Sequence, residues 1–439
     1  MAMVVKNNMS AISTLNTLNK NQSALGTSLA KFSSGQKINT AKDDASGYAI
    51  SERMRVMVRA LDQATQNTQN GSAMMKVAEG AVNNTVEILK TLKEKAINSA
   101  TDTNTDSDRA TLQKEIDQFV DQINDNALAT FNGKYLVDGS KSAKVLADTK
   151  TVLINQSLGS YDTSQAVTGL ADSSGKSLNI VAGDIATLSV VSQGVVKTAT
   201  LAIATNTTLT SLLKNGEPGD LVAVSSDTGA ISTTTALNTA NQQIDIPNGE
   251  NALVISAANA GVGSQISGYS ITITDALGNA KKSANEHLEF SVLQFAANEQ
   301  SGVDNSLKIH VGAAAGQTIS VSLLDMRAEA LGLQGADAKV LNVSTPEKAN
   351  AAISAFDYAL AKALDMATTI GAIEARLDYT ANNLTTSSEN VQSAESTIRD
   401  ADMAKEMTNY TKNNVLLQAA QSMLAQANQN SSAVLSLLQ

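Results

Sequence analysis

A heptad pattern between Ile50 and Ala96 constrains the fold of this chain more than any other feature of its sequence. Apolar or small residues recur there at alternating steps of four and three, and the series includes Leu61, Met75 and Leu89. This spacing is typical of a helix in a bundle or coiled coil. At about 1.5 Å per residue, a helix over this stretch is roughly 70–80 Å long. Such a helix needs partner helices along its whole length.

Both ends of the chain carry a helical apolar stripe with little charge on the opposite face. Residues 9–32 and residues 398–439 combine this stripe with a face rich in Asn, Gln, Ser and Thr. A face without charge suits a helix that is buried among copies of itself, although a merely soluble amphipathic helix has the same pattern. We expect the two terminal helices to pair antiparallel to each other.

Two further helices are predicted inside the chain. One has its N-cap at Asp106 or Ser107 and runs to about Leu128. The other begins after Thr345, where the order Thr, Pro, Glu is typical of a helix start, and it runs to about Leu384. We expect this second helix to pack along the heptad helix.

The middle of the chain has a different composition. Residues 140–305 are dominated by Ser, Thr, Gly, Ala, Val and Ile, and short alternating runs occur at 269–273 and 288–292. This pattern predicts one or two all-β domains, and residues 307–323 then predict a β-hairpin. The fold class is therefore α+β multidomain: a long antiparallel helical bundle from the two chain ends, with the hairpin and an inserted all-β region.

Composition excludes several classes of function. The chain of 439 residues has no Cys, so it can form no disulfide and use no thiol chemistry. Its net charge is −10 without a basic tract, which argues against nucleic-acid binding. No window approaches the roughly 18 apolar residues of a membrane span, and the N terminus lacks a signal peptide's apolar core. We expect no cofactor and no metal.

Several long motifs near the two ends of the chain match one known family in the right order. They comprise residues 18–27, 33–35, 38–47, 131–133, 331–333, 424–429 and 434–438. On these motifs, the chain resembles bacterial flagellin over roughly residues 1–140 and 305–439. The resemblance implies a structural subunit that is secreted and polymerises into the extracellular flagellar filament for swimming. It also implies, as partners, a flagellar export chaperone, the cap and the hook-junction proteins.

The same resemblance implies a division into domains. Residues 1–42 and 400–439 correspond to the filament-core domain D0, and residues 43–140 and 306–399 correspond to the surrounding domain D1. Residues 141–305 correspond to the variable outer domain. This insert precedes the hairpin, whereas in the enterobacterial pattern the variable domains follow it. We therefore expect the outer domain to leave D1 at a different corner.

Polymerisation is the mechanism that the resemblance implies, because flagellin terminal helices fold on assembly. Copies stacked on one another would bury the large apolar side chains of both ends. At roughly 1.5–3 kcal/mol each, eight such side chains offer on the order of 10–20 kcal/mol before the cost of ordering them. The predicted polymerisation core comprises Ile12, Leu15, Leu18, Leu25, Leu29, Val415, Leu416, Met423, Leu435 and Leu438.

Residues 33–47 are the predicted connector between D0 and D1. Two glycines would allow the chain to bend there, and the charged side chains could pair with neighbouring subunits. An exposed charged linker would have the same sequence pattern. The connector residues in question are Gly35, Lys37, Lys42, Asp43, Asp44 and Gly47.

A second face of D1 resembles the flagellin patch that Toll-like receptor 5 binds. Leu89, Glu94 and Glu115 match that pattern, and the matching helix segment ends at Ile97. Thr91 stands where the pattern has Arg, and Lys95 stands where it has Leu. Because loss of an Arg anchor and of an apolar contact both weaken interfaces, we expect weak receptor recognition.

The sequence bears on three alternatives to a filament subunit. A metalloprotease in the insert is unsupported, since His287 and His310 are the two histidines and no His-Glu-x-x-His motif is present. No phosphate-binding loop or nucleophile–base pair is seen either, so we expect no enzyme. The related hook–filament junction protein shares the terminal helices but matches the central motifs poorly. An adhesin or O-glycan role of the outer domain remains an addition to the main interpretation.

Overall fold

The computed structural model describes residues 8–145, 148–158, 165–214, 222–223, 231–232, 235–237, 243–245, 252–257, 259–298 and 304–436. These residues belong to two compact units. The first unit draws on Met1–Thr68, His310–Gln317 and Tyr379–Gln439, and the second on Gln69–Ile309 and Thr318–Asp378. No helix among the described residues is long and apolar enough to cross a membrane.

The described part of the chain contains long helices at both ends and short strands between them. The helices are α1 Met9–Ser34, α2 Ala45–Ala100, α3 Asp106–Ala127, α4 Leu209–Lys214, α5 Lys282–His287, α6 Pro346–Arg399 and α7 Met403–Ser436. The first strands are β1 Thr130–Phe131, β2 Lys134–Tyr135, β3 Val152–Asn155, β4 Ile185–Ser192, β5 Val195–Ala202, β6 Val222–Ala223 and β7 Ile231–Ser232. The others are β8 Thr235–Leu237, β9 Gln243–Asp245, β10 Ala252–Ala257, β11 Ile266–Thr274, β12 Ser291–Gln294, β13 Leu307–His310 and β14 Thr318–Val321.

In the first unit, the terminal helices α1 and α7 pack against each other. Asn8 caps the start of α1 by accepting a hydrogen bond from the Ala11 amide, and Gly35 ends the helix in the left-handed conformation at φ +69°. Contacts of α1 move towards the C terminus as those of α7 move towards the N terminus, from Asn8 with Ala427 to Asn21 with Leu416. The predicted antiparallel pair is confirmed.

The first unit also contains the beginning of α2 and the end of α6. Leu61 and Ala64 of α2 pack with Leu384 of α6 in a small apolar cluster. Beside this cluster, the Ser388 hydroxyl donates a hydrogen bond to Asp62 Oδ1 at 2.9 Å. The partner helix required by the heptad pattern is therefore α6, as predicted, although α6 continues fifteen residues beyond the predicted end at Leu384.

In the second unit, the rest of α2 packs with α3 and the first part of α6. The heptad positions from Leu61 to Ala96 are all buried, whereas Met57 is exposed. Two salt bridges join α2 to α6: Lys93 to Asp357 at 2.6 Å and Lys76 to Glu374 at 3.3 Å. Their order along the chain shows that the two helices run antiparallel.

Helix α3 starts one residue earlier than predicted. Its N-cap is Thr105, whose hydroxyl accepts from the Asp108 amide while the Asp108 carboxylate accepts from the Thr105 amide. This reciprocal capping box satisfies two main-chain amides at the start of the helix.

The region between α3 and the hairpin is built on two sheets that share one core. One sheet has the order β12-β3-β10-β6, with β7 also paired to β10, and the other has the order β11-β4-β5. Leu153 and Ile255 of the first sheet meet Leu188 and Ile271 of the second in this core. The prediction of inserted β structure is confirmed, and the structure corrects its all-β character.

The region is not all-β because it also contains the short helices α4 and α5. Leu209, Leu212 and Leu213 of α4 fill the core between the sheets. Residues 288–292 do not form the predicted strand: Leu288 follows α5 as its C-cap and is buried, and the strand begins at Ser291. A short alternating run does not distinguish these two cases.

The predicted hairpin is confirmed as β13 and β14. At its tip, in the first unit, the Val311 amide donates to the Gln317 carbonyl at 2.9 Å. Ile319 and Val321 are buried on β14, which agrees with the alternation in the sequence. The insert precedes this hairpin along the chain, as expected.

Candidate assembly surface

Ten large apolar side chains among the described residues of α1 and α7 are exposed to solvent. Those on α1 and α7 have 37% to 69% of their surface accessible, so the pair leaves them uncovered. They are Met9, Ile12, Leu15, Leu29 and Phe32 on α1, and Met403, Met407, Val415, Leu416 and Met423 on α7. Exposed apolar surface of this kind is typical of an interaction site.

Six of the ten predicted polymerisation residues belong to this exposed set. Leu18 and Leu25 are half-buried. Leu435 and Leu438 lie outside the residues whose side chains the structure describes. Met403 and Met407 were missed, although their spacing of four residues from each other, and of eight from Met407 to Val415, is a readable helical signal.

The predicted connector is a compact turn rather than an extended linker. Asp43 Oδ2 accepts hydrogen bonds from the Thr40 and Asn39 amides at 3.0 and 3.2 Å. The Thr40 hydrogen bond is the main cause that holds the pKa of Asp43 below its ordinary value. Asp44 Oδ1 accepts from the Ser46 and Gly47 amides at 3.0 Å each. Both carboxylates are thus engaged within the subunit.

The two connector glycines have different roles. Gly35 has φ +69°, a conformation that other residues adopt with strain, and it ends α1 there. Gly47 lies inside α2 and provides no bend. A Cβ there would stand 2.5 Å from Asp44 Oδ2 and 2.7 Å from Ile38 Cδ1, so its small size is what the turn requires. Lys37 and Lys42 are exposed.

Arg399, at the end of α6, joins three parts of the first unit: the end of α6, the start of α2 and the turn after α1. We call this place the joint, and the sequence did not predict it. Its side chain is only 6% exposed, its Nη1 lies 2.5 Å from Glu52 Oε1, and its Nε donates to Gln36 Oε1 at 3.0 Å. The guanidinium also lies over the Tyr48 ring. The Arg399 hydrogen bond is the main cause that lowers the pKa of Glu52.

The main chain reinforces the same joint. The Lys37 amide donates to the Arg399 carbonyl at 2.6 Å, and the Ala401 amide donates to the Gly35 carbonyl at 2.9 Å. The segment that follows α1 and the segment that precedes α7 are therefore joined by main-chain hydrogen bonds. In the sequence, Arg399 lies at the start of the predicted C-terminal segment 398–439, fifteen residues beyond the predicted end of the preceding helix, and nothing there indicated its partners.

The face matched to the receptor pattern differs from expectation at Leu89. This side chain is completely buried in the second unit and offers no surface to a partner. Lys95 forms a salt bridge with Glu115 at 2.9 Å, and the Thr91 hydroxyl donates to the Glu87 carbonyl. The exposed members are Glu94 and Ile97, because they point away from the heptad side of α2.

The two histidines belong to different units, His310 to the first and His287 to the second. His310 is exposed on β13, as its alternation with Ile309 predicts. His287 Nε2 stands 3.9 Å from Asp172 Oδ2. Within the described residues, no group of three or more His, Asp or Glu is placed to hold a metal ion.

Comparison with known proteins assigns the family. Residues 5–142 match the bacterial flagellin N-terminal helical region, and residues 353–438 match the bacterial flagellin C-terminal helical region. Flagellin of Clostridium tyrobutyricum is 32% identical over 97% of this chain and 99% of its own. The flagellar filament 33 kDa core protein of Treponema phagedenis is 27% identical over 99% of this chain and 100% of its own.

Among solved structures, FliC from Burkholderia pseudomallei is 18% identical and covers 72% of this chain and 99% of its own. Its TM-score is 0.24, which is too low to support a conclusion. The assignment therefore rests on the sequence matches at both helical ends and on the nearly full-length relative. The chain belongs to the bacterial flagellin family.

Proposed function

We propose that this protein is the structural subunit that polymerises, outside the cell, into a flagellar filament for swimming. The observation that carries the proposal is the exposed apolar surface of α1 and α7. A monomer would leave this surface in water, whereas stacked copies would bury it. A relative named as a flagellar filament core protein, aligned over its full length, supports the same function.

The geometry of the subunit favours an open polymer. The exposed apolar side chains lie on both helices, so each copy can contact neighbours through different parts of its surface. Repeated contacts between non-identical surfaces generate a helical filament when the rotation does not close. In this proposal, D0 comprises residues 1–42 and 400–439, and it forms the filament core inside D1, with residues 141–305 outermost.

The test compares exposed apolar positions with an exposed polar position on the same helix. Leu15→Asn and Leu29→Asn remove apolar burial without adding charge, and Thr17→Asn is the matched control, since Thr17 is also exposed. Because each buried Leu is worth roughly 1.5–3 kcal/mol, each Leu variant should raise the critical concentration for polymerisation about ten-fold or more. Sedimentation and electron microscopy give the readout. Unchanged critical concentrations in both Leu variants would contradict the proposal.

We propose two further features from the family alone. The export chaperone, the cap and the hook-junction proteins are the partners of the subunit during secretion and assembly. The insert serves as the outer surface, and an adhesin or O-glycan role there would add to it. Intact-mass measurement on native filaments tests the glycan role, because a mass near 45.6 kDa leaves no room for it.

We propose weak recognition by Toll-like receptor 5. Burial of Leu89 removes one matched contact, and the salt bridge between Lys95 and Glu115 engages two charges of the face within the subunit. A receptor would have to break the salt bridge between Lys95 and Glu115, or bind it where the pattern provides an apolar leucine.

A further inference from the structure

We propose that a cavity in the second unit binds an extended, basic peptide segment of another protein, which pairs with the free edge of β11. The cavity has a volume of about 520 Å³, within the range of ligand pockets. It lies between β11, residues 288–292 and one face of α6. The lining residues all belong to the second unit, so the cavity is separate from the exposed apolar surface of α1 and α7.

The strand β11 has one unpaired edge. It pairs with β4 on one side, and no strand among the described residues pairs with its other side. Ile273 points its main-chain groups to this other side, because its amide donates to Asn285 Oδ1 at 2.6 Å and its carbonyl accepts from the Lys281 amide at 2.9 Å. Alternate residues of an antiparallel strand point their main-chain groups the same way. The amides and carbonyls of Ile271 and Tyr269 therefore face the unpaired side, where the described residues offer them no main-chain partner.

The Asn285 side chain shows how this edge can be completed. Its Oδ1 accepts from the Ile273 amide, and its Nδ2 donates to the Ile273 carbonyl at 3.3 Å. The side-chain amide thus pairs with the edge as a peptide group of a neighbouring strand would. The next two pairing positions along the edge, Ile271 and Tyr269, line the cavity. A peptide strand in the cavity would continue the pairing through main-chain hydrogen bonds.

The other walls of the cavity leave room for a single strand. Residues 288–292 form the second wall, and the Phe290 ring meets the Tyr269 ring edge to face with centroids 5.0 Å apart. The third wall is the face of α6 from Asn350 to Ala361. At 1.5 Å per residue this wall is roughly 16 Å long, the length of about five extended residues. A strand that belongs to a sheet would bring its neighbour with it, so the described strands of a second copy do not fit, and the occupant is a segment of another protein.

The charge of the lining favours a basic occupant. Two lining residues are acidic, Glu289 and Asp357, and none is Lys or Arg. Asp357 already forms its salt bridge with Lys93 at 2.6 Å, whereas the exposed Glu289 has no salt bridge among the described residues. Glu289 is therefore the carboxylate left for a basic side chain of the occupant. The half-buried Phe290 and Ile353 provide apolar contacts beside it.

Selection from a random peptide library tests the site. Displayed peptides of about seven residues, long enough to span the α6 wall, are selected on the whole chain below the concentration at which it polymerises. Calorimetry then gives their affinities. We expect peptides with one Lys or Arg, and N-methylation of alternate amides should weaken their binding about ten-fold or more, since main-chain hydrogen bonds supply the affinity. By NMR, hydrogen exchange of the Tyr269 and Ile271 amides should slow when peptide is bound.

Two matched pairs of variants locate the binding site. Ala361→Trp fills the cavity from α6, whereas Leu364→Trp, at another exposed position of α6, lies outside the lining. Glu289→Lys reverses the unpaired charge, whereas Glu286→Lys reverses an exposed charge outside the lining. We expect Ala361→Trp to weaken peptide binding about ten-fold or more and Glu289→Lys about five-fold or more, with both controls within about two-fold of the native chain.

Failure to recover any peptide would overturn the inference. Native affinity in the Ala361→Trp or Glu289→Lys variant would overturn it too, as would unchanged exchange of the two β11 amides. Recovered peptides that match a segment of this chain would make a second copy the occupant and would overturn the choice of another protein. None of these readouts requires filaments, so their failure is distinct from failure of the proposed function.

Discussion

Arg399 Nη1 lies 2.5 Å from Glu52 Oε1, although the two residues are 347 positions apart in the chain. The arginine side chain is buried, whereas about a third of Glu52 remains exposed. This pair, with the hydrogen bond from Arg399 to Gln36, ties the end of α6 to the start of α2 and to the turn after α1. Charged and polar groups thus contribute to holding together the end of α6, the start of α2 and the turn after α1.

Replacing Arg399 should destabilise this joint more than replacing another arginine that contacts the same carboxylate. Arg399→Met removes the ion pair with Glu52 and the hydrogen bond to Gln36, and it should cost about 1–3 kcal/mol, less than a fully buried pair because Glu52 is partly exposed. Arg55→Met is the control, since exposed Arg55 also contacts Glu52 Oε1, at 3.2 Å, and should cost less than about 1 kcal/mol. Denaturant unfolding measures both, and equal losses would argue against a central role for Arg399.

Features that depend on neighbouring residues in the chain could be predicted from the sequence, whereas contacts between distant parts of the chain could not. The heptad series from Leu61 to Ala96 identified the buried side of α2, because burial and spacing repeat along one helix. Arg399 could not be found in this way, since its partners Glu52 and Gln36 come from distant parts of the chain. The terminal apolar stripes were also visible, but a stripe does not tell which molecule covers it. Their exposure at Leu15 and Met423 was evident only from the structure.

Gly332 should tolerate no side chain, for reasons of both conformation and space. Its φ is +76°, and a Cβ there would overlap Ser267 Cβ, whose hydroxyl donates to the Gly332 carbonyl at 2.9 Å. Gly278 has φ +88° with nothing within 4 Å of a Cβ, so Gly278→Ala isolates the conformational cost. We expect Gly278→Ala to cost about 1–2 kcal/mol and Gly332→Ala at least about 1 kcal/mol more. Equal changes in thermal unfolding would contradict the overlap.

Burial of Lys362 predicts that the second unit gains stability in alkaline solution. Its Nζ donates to the Ala330 carbonyl at 2.6 Å, and burial lowers the pKa of Lys362 to about 8 from 10.5. Between these pH values, the unfolded chain binds more protons than the folded chain, so unfolding free energy rises with pH; below about pH 8 this contribution is flat.

The expected gain is at most a few kcal/mol, at about 1.4 kcal/mol for each unit of pKa depression. Lys362→Met should abolish the rise and increase stability at pH 7, because no charge is then buried. Lys308→Met, at an exposed position, should keep the rise. Urea unfolding from pH 7 to 10.5 provides the measurement, and a flat profile in the native chain would refute the prediction.

Restoring the two departures on the receptor face should strengthen signalling. Thr91→Arg with Lys95→Leu supplies the Arg anchor and apolar contact of the matched pattern, and it also frees Glu115 from its salt bridge with Lys95. We expect at least a ten-fold lower half-maximal concentration in a Toll-like receptor 5 reporter assay. Lys90→Leu on the same helix is the control, because it removes a charge at a position other than Thr91 and Lys95. Full potency of the native chain would overturn the expectation of weak recognition.

Deleting residues 434–439 should abolish filaments. The deletion removes Leu435 and Leu438, two of the ten predicted polymerisation residues, together with Val434 and Leu437. Each large apolar side chain that assembly buries contributes roughly 1.5–3 kcal/mol. Removing four of them should therefore make assembly too weak to give filaments. A matched variant keeps the length and replaces these four residues by Asn, which separates apolar burial from chain length. Both variants should remain monomeric on sedimentation. Filaments of normal length from the Asn variant would show that the end of the chain acts through its length and not through its apolar side chains.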